Sequence, residues 1–300
     1  MDIERRRLLV ARIEGSAQAN DLTAPTNCGG YGRVRHFSKR AADGWPDNFL
    51  PIRPASLWLG LPEPQSMNAQ VFQLAACAWR CWYCYVPYPL LSGDSRLASW
   101  RSAEDLVRMY LKLPERSPVL DLSGGSPDLA PEWIVWTLDA IEACRASKST
   151  FVWSDDNLSS DALLRPENAA LLRATAEYPG YGRACCLKGY SPASFAFNTG
   201  ANPAGFEEQI RILTAYASSG LNIYVYLPLV EPDEADAAEH LRHLLDRLGD
   251  IRSDLLSRTV PLHIAAYSTV TPRLDDRRAA ALKRQWDLLE VWLAAAGPPE

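Results

Sequence analysis

Six times along the chain, a short apolar run is followed by a stretch whose apolar residues recur at helical spacing. The runs are Val71–Ala76, Val119–Leu122, Phe151–Trp153, Ala184–Leu187, Asn222–Val230 and Leu262–Tyr267. The first helical stretches are Ser102–Leu113, a segment opened by Pro131 and carried by Ile134, Leu138 and Ile141, and Pro166–Glu177. Then come Gly205–Ser218, a segment marked by Leu241, Leu244, Leu245 and Leu248, and a last one marked by Leu282, Trp286, Leu289 and Leu293. Strands that alternate with helices imply an α/β fold with a parallel sheet and helices packed outside it. Right-handed crossovers curl six such units into an open, partial (β/α)6 barrel. In sheets of this kind the chemistry collects at the C-terminal ends of the strands.

The polar exceptions to the pattern fall at those ends. Three cysteines follow the first run, Gly124 and Gly125 the second, and Asp155, Asp156 and Asn157 lie at the third. Lys188 follows the fourth, and Tyr267 closes the sixth. All are expected on one rim. Residues 1–66 lack the rhythm and hold turn-forming segments such as Pro25–Gly32 and Gly44–Pro54. They read as an irregular N-terminal extension of covering loops, ahead of a barrel domain at residues 67–300. Cys28–His36 and Trp45–Pro54 within it are expected to shape substrate access.

A net charge of −5 gives no general affinity for nucleic acid or anionic membranes. The longest strongly apolar run, Ile223–Val230, contains a proline and is far too short to span a bilayer. The basic Arg5–Arg7 is not followed by the apolar stretch of a signal peptide. A soluble, cytoplasmic protein with no membrane or nucleic-acid partner is expected. Seven cysteines make a poor disulfide framework. Cys28, Cys144, Cys185 and Cys186 are scattered, whereas Cys77, Cys81 and Cys84 are clustered as metal ligands would be in a reducing compartment.

The cluster reads Cys77-Ala-Trp-Arg-Cys81-Trp-Tyr-Cys84. A loop this short can wrap three thiolates round one face of an iron–sulfur cubane, which normally takes four. Three ligands leave one iron open, as catalytic metal sites do. The alternative reading is a zinc site, with a fourth ligand from Cys185, Cys186 or a histidine, or a purely structural iron–sulfur cluster, in a protein that binds partners or, with the cluster, transfers electrons without catalysis. His36, His240, His243 and His263 form no ligand pattern.

Cys-x3-Cys-x2-Cys after a first strand, with Tyr83 before the last cysteine, resembles the cluster loop of the radical S-adenosylmethionine (SAM) superfamily. The likeness spans about residues 70–270. It implies one 4Fe–4S cluster on Cys77, Cys81 and Cys84, whose open iron is chelated by the amino and carboxylate groups of SAM. It also implies an oxidoreductase or activase that cleaves SAM reductively to methionine and a 5′-deoxyadenosyl radical, which takes a hydrogen atom from substrate. The electron would come from flavodoxin or ferredoxin. The substrate, a small metabolite or a glycyl-radical enzyme, and the catalytic residues are not legible. The chain has no further cysteine-rich C-terminal segment, so auxiliary clusters are not expected.

Other positions extend the resemblance. Ser123-Gly124-Gly125-Ser126-Pro127 is similar to the superfamily's Gly-Gly-Glu-Pro segment, whose backbone meets the SAM amino group; Ser126 stands where glutamate is usual. Asp155, Asp156 and Asn157 can serve SAM's ribose or amino group, or cap a helix. Cys186-Leu-Lys188-Gly-Tyr resembles proteins related to pyruvate formate-lyase activating enzyme, with Lys188 placed to pair with the SAM carboxylate or to lie at the surface. Tyr226, on the fifth run, faces the lumen against adenine or belongs to an ordinary core strand. Adenine is expected near Tyr83 and methionine near Gly124 and Gly125. Adjacent Cys185 and Cys186 should point to opposite faces of their strand.

Overall fold

In the computed structural model, which describes residues 1–231 and 235–296, the alternation becomes a curled sheet. Strands β1 (Arg7–Ala11) and β2 (Gly32–Ser38) and helix α1 (Ile52–Leu59) come first. Then follow β3 (Ser66–Phe72), β4 (Ala98–Ser102), α2 (Ala103–Leu111), β5 (Val119–Leu122) and α3 (Pro131–Ala143). Next are β6 (Phe151–Asp156), α4 (Ala169–Ala176), β7 (Tyr181–Cys186), α5 (Pro192–Thr199) and α6 (Gly205–Ala217). The last are β8 (Ile223–Pro228), α7 (Ala237–Ile251), β9 (Thr259–Leu262) and α8 (Asp276–Ala296).

The main sheet runs β2-β3-β5-β6-β7-β8-β9. The six strands from β3 to β9 in that order are parallel, and β2 joins β3 antiparallel at the edge. This is the six-unit partial barrel expected from the alternation. Strand order follows chain order, so each strand's exit loop lies beside the next. Strands β1 and β4 form a separate antiparallel pair. No described helix is long and apolar enough to cross a membrane.

The strand pleat separates two cores. Outside, Phe72, Leu120, Leu122 and Val152 pack against Leu106, Tyr110, Trp133 and Ile134 of α2 and α3. Cys185, Val225 and Leu227 pack against residues of α6 and α7 such as Ile210, Leu213, Leu241 and Leu244. Inside, Phe37, Met67, Val119 and Phe151 gather at the strand beginnings, and Leu50, Ile52 and Ala55 close that floor. Local signals set the helix starts: the Ser102 side chain accepts from the Asp105 amide at the head of α2, and Pro131 opens α3.

The structure differs from the sequence pattern at several points. The first strand begins at Ser66 rather than Val71, because Met67 and Ala69 already alternate inward, and residues 73–76 run on beyond the sheet. The sixth strand is Thr259–Leu262, the stretch whose register with β8 pairs Val260 with Tyr226; residues 263–267 form a rim loop. The first 66 residues include two strands and a helix, and Leu50 and Ile52 sit at the floor, away from the cysteines.

Candidate functional site

The cysteine loop leaves the C-terminal end of β3 and is tied down at both flanks. Leu74 N donates to Gly124 O (3.1 Å) and Ser126 N to Ala76 O (2.8 Å), stitching the loop's entrance to the turn that leaves β5. On the far side Arg273 donates to Cys84 O (2.6 Å) and Cys81 O (3.3 Å), with its guanidinium over the Tyr88 ring. Burial pushes the Cys81 thiol up to about 12 and raises Cys84 as well. Such thiols stay protonated unless a metal holds them as thiolates. Tyr83 lies between Cys81 and Cys84 in the loop, its ring edge-on to that of Trp82 (5.4 Å), and burial pushes its hydroxyl well above its ordinary pKa.

The glycine turn is built for close approach. Gly124 has φ +93° and Gly125 φ +75°. A Cβ on Gly125 would lie 2.5 Å from the carbonyl oxygens of Leu74 and Ala76, and one on Gly124 would meet the Gln73 side chain. Only glycine lets this turn sit against the chain entering the cysteine loop. Ser126, fully buried, donates to Cys77 Sγ (3.2 Å) and accepts from the Ala78 amide (3.1 Å). Asn157 reaches in from the end of β6, donating to Gly125 O (2.7 Å) and Ser126 Oγ (3.0 Å), with Cys77 Sγ at 3.8 Å. The turn, Ser126, Asn157 and Cys77 therefore form one assembly.

Lys188, just past the end of β7, is only 9% exposed and pairs with no carboxylate among the described residues. Burial works against its charge, but the neighbouring Cys186, Cys81, Cys77 and Cys84, when they are thiolates, outweigh it and raise the ammonium pKa. Two amides that sequence reasoning did not single out hold this end of the barrel. Gln209 of α6 accepts from Lys188 N (3.1 Å) and donates to Asn157 O (2.7 Å). Asn198 of α5 donates to Lys188 O (2.8 Å) and Val230 O (3.1 Å) and accepts from Trp82 Nε1 (3.0 Å). The helix carrying Asn198 was missed too, although Ser191 and Ser194 form a capping box around Pro192, and Gly200 ends it in left-handed conformation.

The remaining candidates separate. Asp155 faces the lumen, accepting from Ser123 Oγ (2.5 Å), Arg35 (3.0 Å) and Trp153 Nε1 (3.2 Å). Asp156 turns to the outer face, where Arg183 holds it at 2.7 Å in a fully buried ion pair. That face points away from the cysteine loop, so Asp156 is not brought to the rim assembly. Tyr226 lies in the lumen at the level of Arg35, with its hydroxyl near Leu50 O (3.3 Å). Cys186 lies on the lumen side and Cys185 in the outer core. Cys28 packs in the outer core with Leu8, Val10 and Phe72, its thiol pushed up to about 11 by burial.

Among the described residues, no group of three or more His, Cys, Asp and Glu side chains converges on a single metal position. A cubane asks for a different arrangement, because each thiolate ligates its own iron. One loop with three thiols, beside a buried cation, suits that donor set.

No protein-family model and no curated protein sequence matches the chain. Solved structures do. SuiB of Streptococcus suis bound to its precursor peptide SuiA has a TM-score of 0.51 at 12% identity, over 75% of this chain and 45% of SuiB. SuiB bound to S-adenosylmethionine has a TM-score of 0.50 at 14% identity, over 73% of this chain and 46% of SuiB. This chain thus spans less than half the length of SuiB. The likeness is one of fold, the partial barrel.

Proposed function

We propose that this chain is a radical SAM enzyme, with one 4Fe–4S cluster on Cys77, Cys81 and Cys84 and SAM lying along the strand-end rim. One observation carries the reading: the loop with three cysteines shares its rim with the Gly124–Ser126 turn, Asn157 and a buried Lys188 that no carboxylate of the described residues neutralises. The binding of S-adenosylmethionine by SuiB, on the same fold, supports it. When bound, the reduced cluster supplies the electron that splits the S–C5′ bond of SAM.

The chain's own residues bind and orient. Lys188 offers the SAM carboxylate a charge-assisted partner in a site nearly closed to water. The Gly124–Gly125 backbone can accept from the SAM amino group, in a position fixed by Asn157 and by the bond to Leu74. Ser126 donates to Cys77 Sγ, a contact of the kind that tunes the electronics of a cluster ligand. Tyr83 takes the adenine side, and Asp155, already anchored by Ser123, is within the same strand-end row.

The substrate is a small molecule or a peptide or protein. SuiB's complex with a precursor peptide brings peptides into consideration. The electron donor is flavodoxin or ferredoxin, and the site of action the cytoplasm. The reading is tested by reducing the reconstituted protein anaerobically with SAM. Release of 5′-deoxyadenosine and methionine is expected. A stable cluster that neither binds nor cleaves SAM would instead make the chain an electron-transfer or binding protein.

A further inference from the structure

We propose that Arg33, carried into the barrel lumen by β2, binds a carboxylate of the substrate. The proposal rests on the radical SAM reading and names the substrate class for that site.

The edge strand delivers alternate residues to the lumen. Phe37 joins the floor, and Arg35 is satisfied by Asp121 (3.1 Å), Asp155 (3.0 Å) and Ser123 (3.3 Å). Arg33 is different. It is 7% exposed, its guanidinium donates to no acceptor among the described residues, and its buried Nε has no partner. A buried guanidinium in that state is costly unless a ligand completes it.

Its surroundings define the ligand. The guanidinium lies 5.4 Å from the centre of the Tyr85 ring, and Tyr85 directly follows Cys84. Tyr267, half exposed on the rim, meets Tyr85 edge-on at 5.0 Å. The unfilled donors therefore sit between the cysteine loop and the solvent-facing rim, where a substrate must lie. Arg35 and Asp155 neutralise one another. Asp121 Oδ2 and Asp155 Oδ2 are both taken by Arg35, and neither carboxylate hydrogen-bonds to Arg33. What is missing is a planar acceptor for the Arg33 fork, which a carboxylate supplies. A phosphate dianion would bring surplus charge beside Asp121 and Asp155.

The carboxylate could belong to a small acid or to a peptide end, and the probes separate the two. Butanoate, N-acetyl-triglycine and N-acetyl-triglycine amide would each be titrated, by ligand-observed NMR, into cluster-loaded protein with SAM present. At least one of the acids should bind and the amide should not. Binding of both acids points to a small acid; binding of the peptide acid alone points to a peptide end. Arg33→Met should weaken acid binding by about one to two decades while leaving SAM affinity and cluster absorbance unchanged. If Arg33→Met does not fold, Arg33→Lys decides, since it keeps the charge and loses the fork: acid binding should still fall. Equal binding of acid and amide, no acid binding, or unchanged acid affinity in the variant tested would overturn the proposal. So would loss of SAM affinity in Arg33→Met, which would assign Arg33 to SAM itself. Failure of the unsubstituted protein to bind SAM would instead count against the radical SAM reading.

Discussion

Asp155 and Asp156 are neighbours in β6, as Cys185 and Cys186 are in β7, and the pleat sends one of each pair to the lumen and the other to the outer face. The outer partners serve packing: Asp156 neutralises Arg183, and Cys185 fills the core beneath α6 and α7. The inner partners join a polar, half-satisfied lumen that contains Arg35, Asp121 and Arg33. Residue type does not distinguish the members of a pair; the face does. An ion pair complete within the protein holds the fold, whereas charges left incomplete await something that binds.

The largest effect of that difference should be on stability. Asp156→Ala leaves Arg183 buried beside Tyr181 without its counter-charge, which should cost about 3–5 kcal/mol in denaturant unfolding. Asp155→Ala, on the more accessible lumen side, should cost clearly less, because Arg35 keeps Asp121. Equal losses would mean that both faces are structural and would remove the contrast.

A smaller effect, confined to ligand binding, is expected at Lys188. Lys188→Ala should retain the cluster and weaken SAM binding by about 1.5–3 kcal/mol, one to two decades in affinity. Anaerobic titration of both proteins measures it. Identical affinities would show that the ammonium answers only the nearby thiols.

Much of the barrel was legible because its outer helices and strands obey simple periodicities. The cysteine spacing, the Gly124–Gly125 turn and Lys188 stood out as polar breaks at the ends of apolar runs. What was not legible has a common cause. Strand β2 turns Arg33 and Arg35 inward and His36 outward, so it has no apolar face to read, and its partner β3 lies some thirty residues away in the chain. Asp121 was hidden inside a run that otherwise reads as buried strand, Val119–Leu122. Gln209 and Asn198 act through bonds to backbone carbonyls of other elements, and a linear pattern carries no trace of such bonds. Asp156 was grouped with Asp155 by proximity, although a strand's period of two sends neighbours apart.

The central claim is that three thiols of one rim loop hold a cluster with an open iron, and the metal content of cysteine variants tests it most directly. The reconstituted protein should carry about four irons and four sulfides per chain, with broad charge-transfer absorbance. Cys77→Ala, Cys81→Ala and Cys84→Ala should each lose that absorbance, while Cys185→Ala and Cys186→Ala should keep it. Retention of the cluster without any one of the three rim cysteines, or its loss in either β7 variant, would contradict the account.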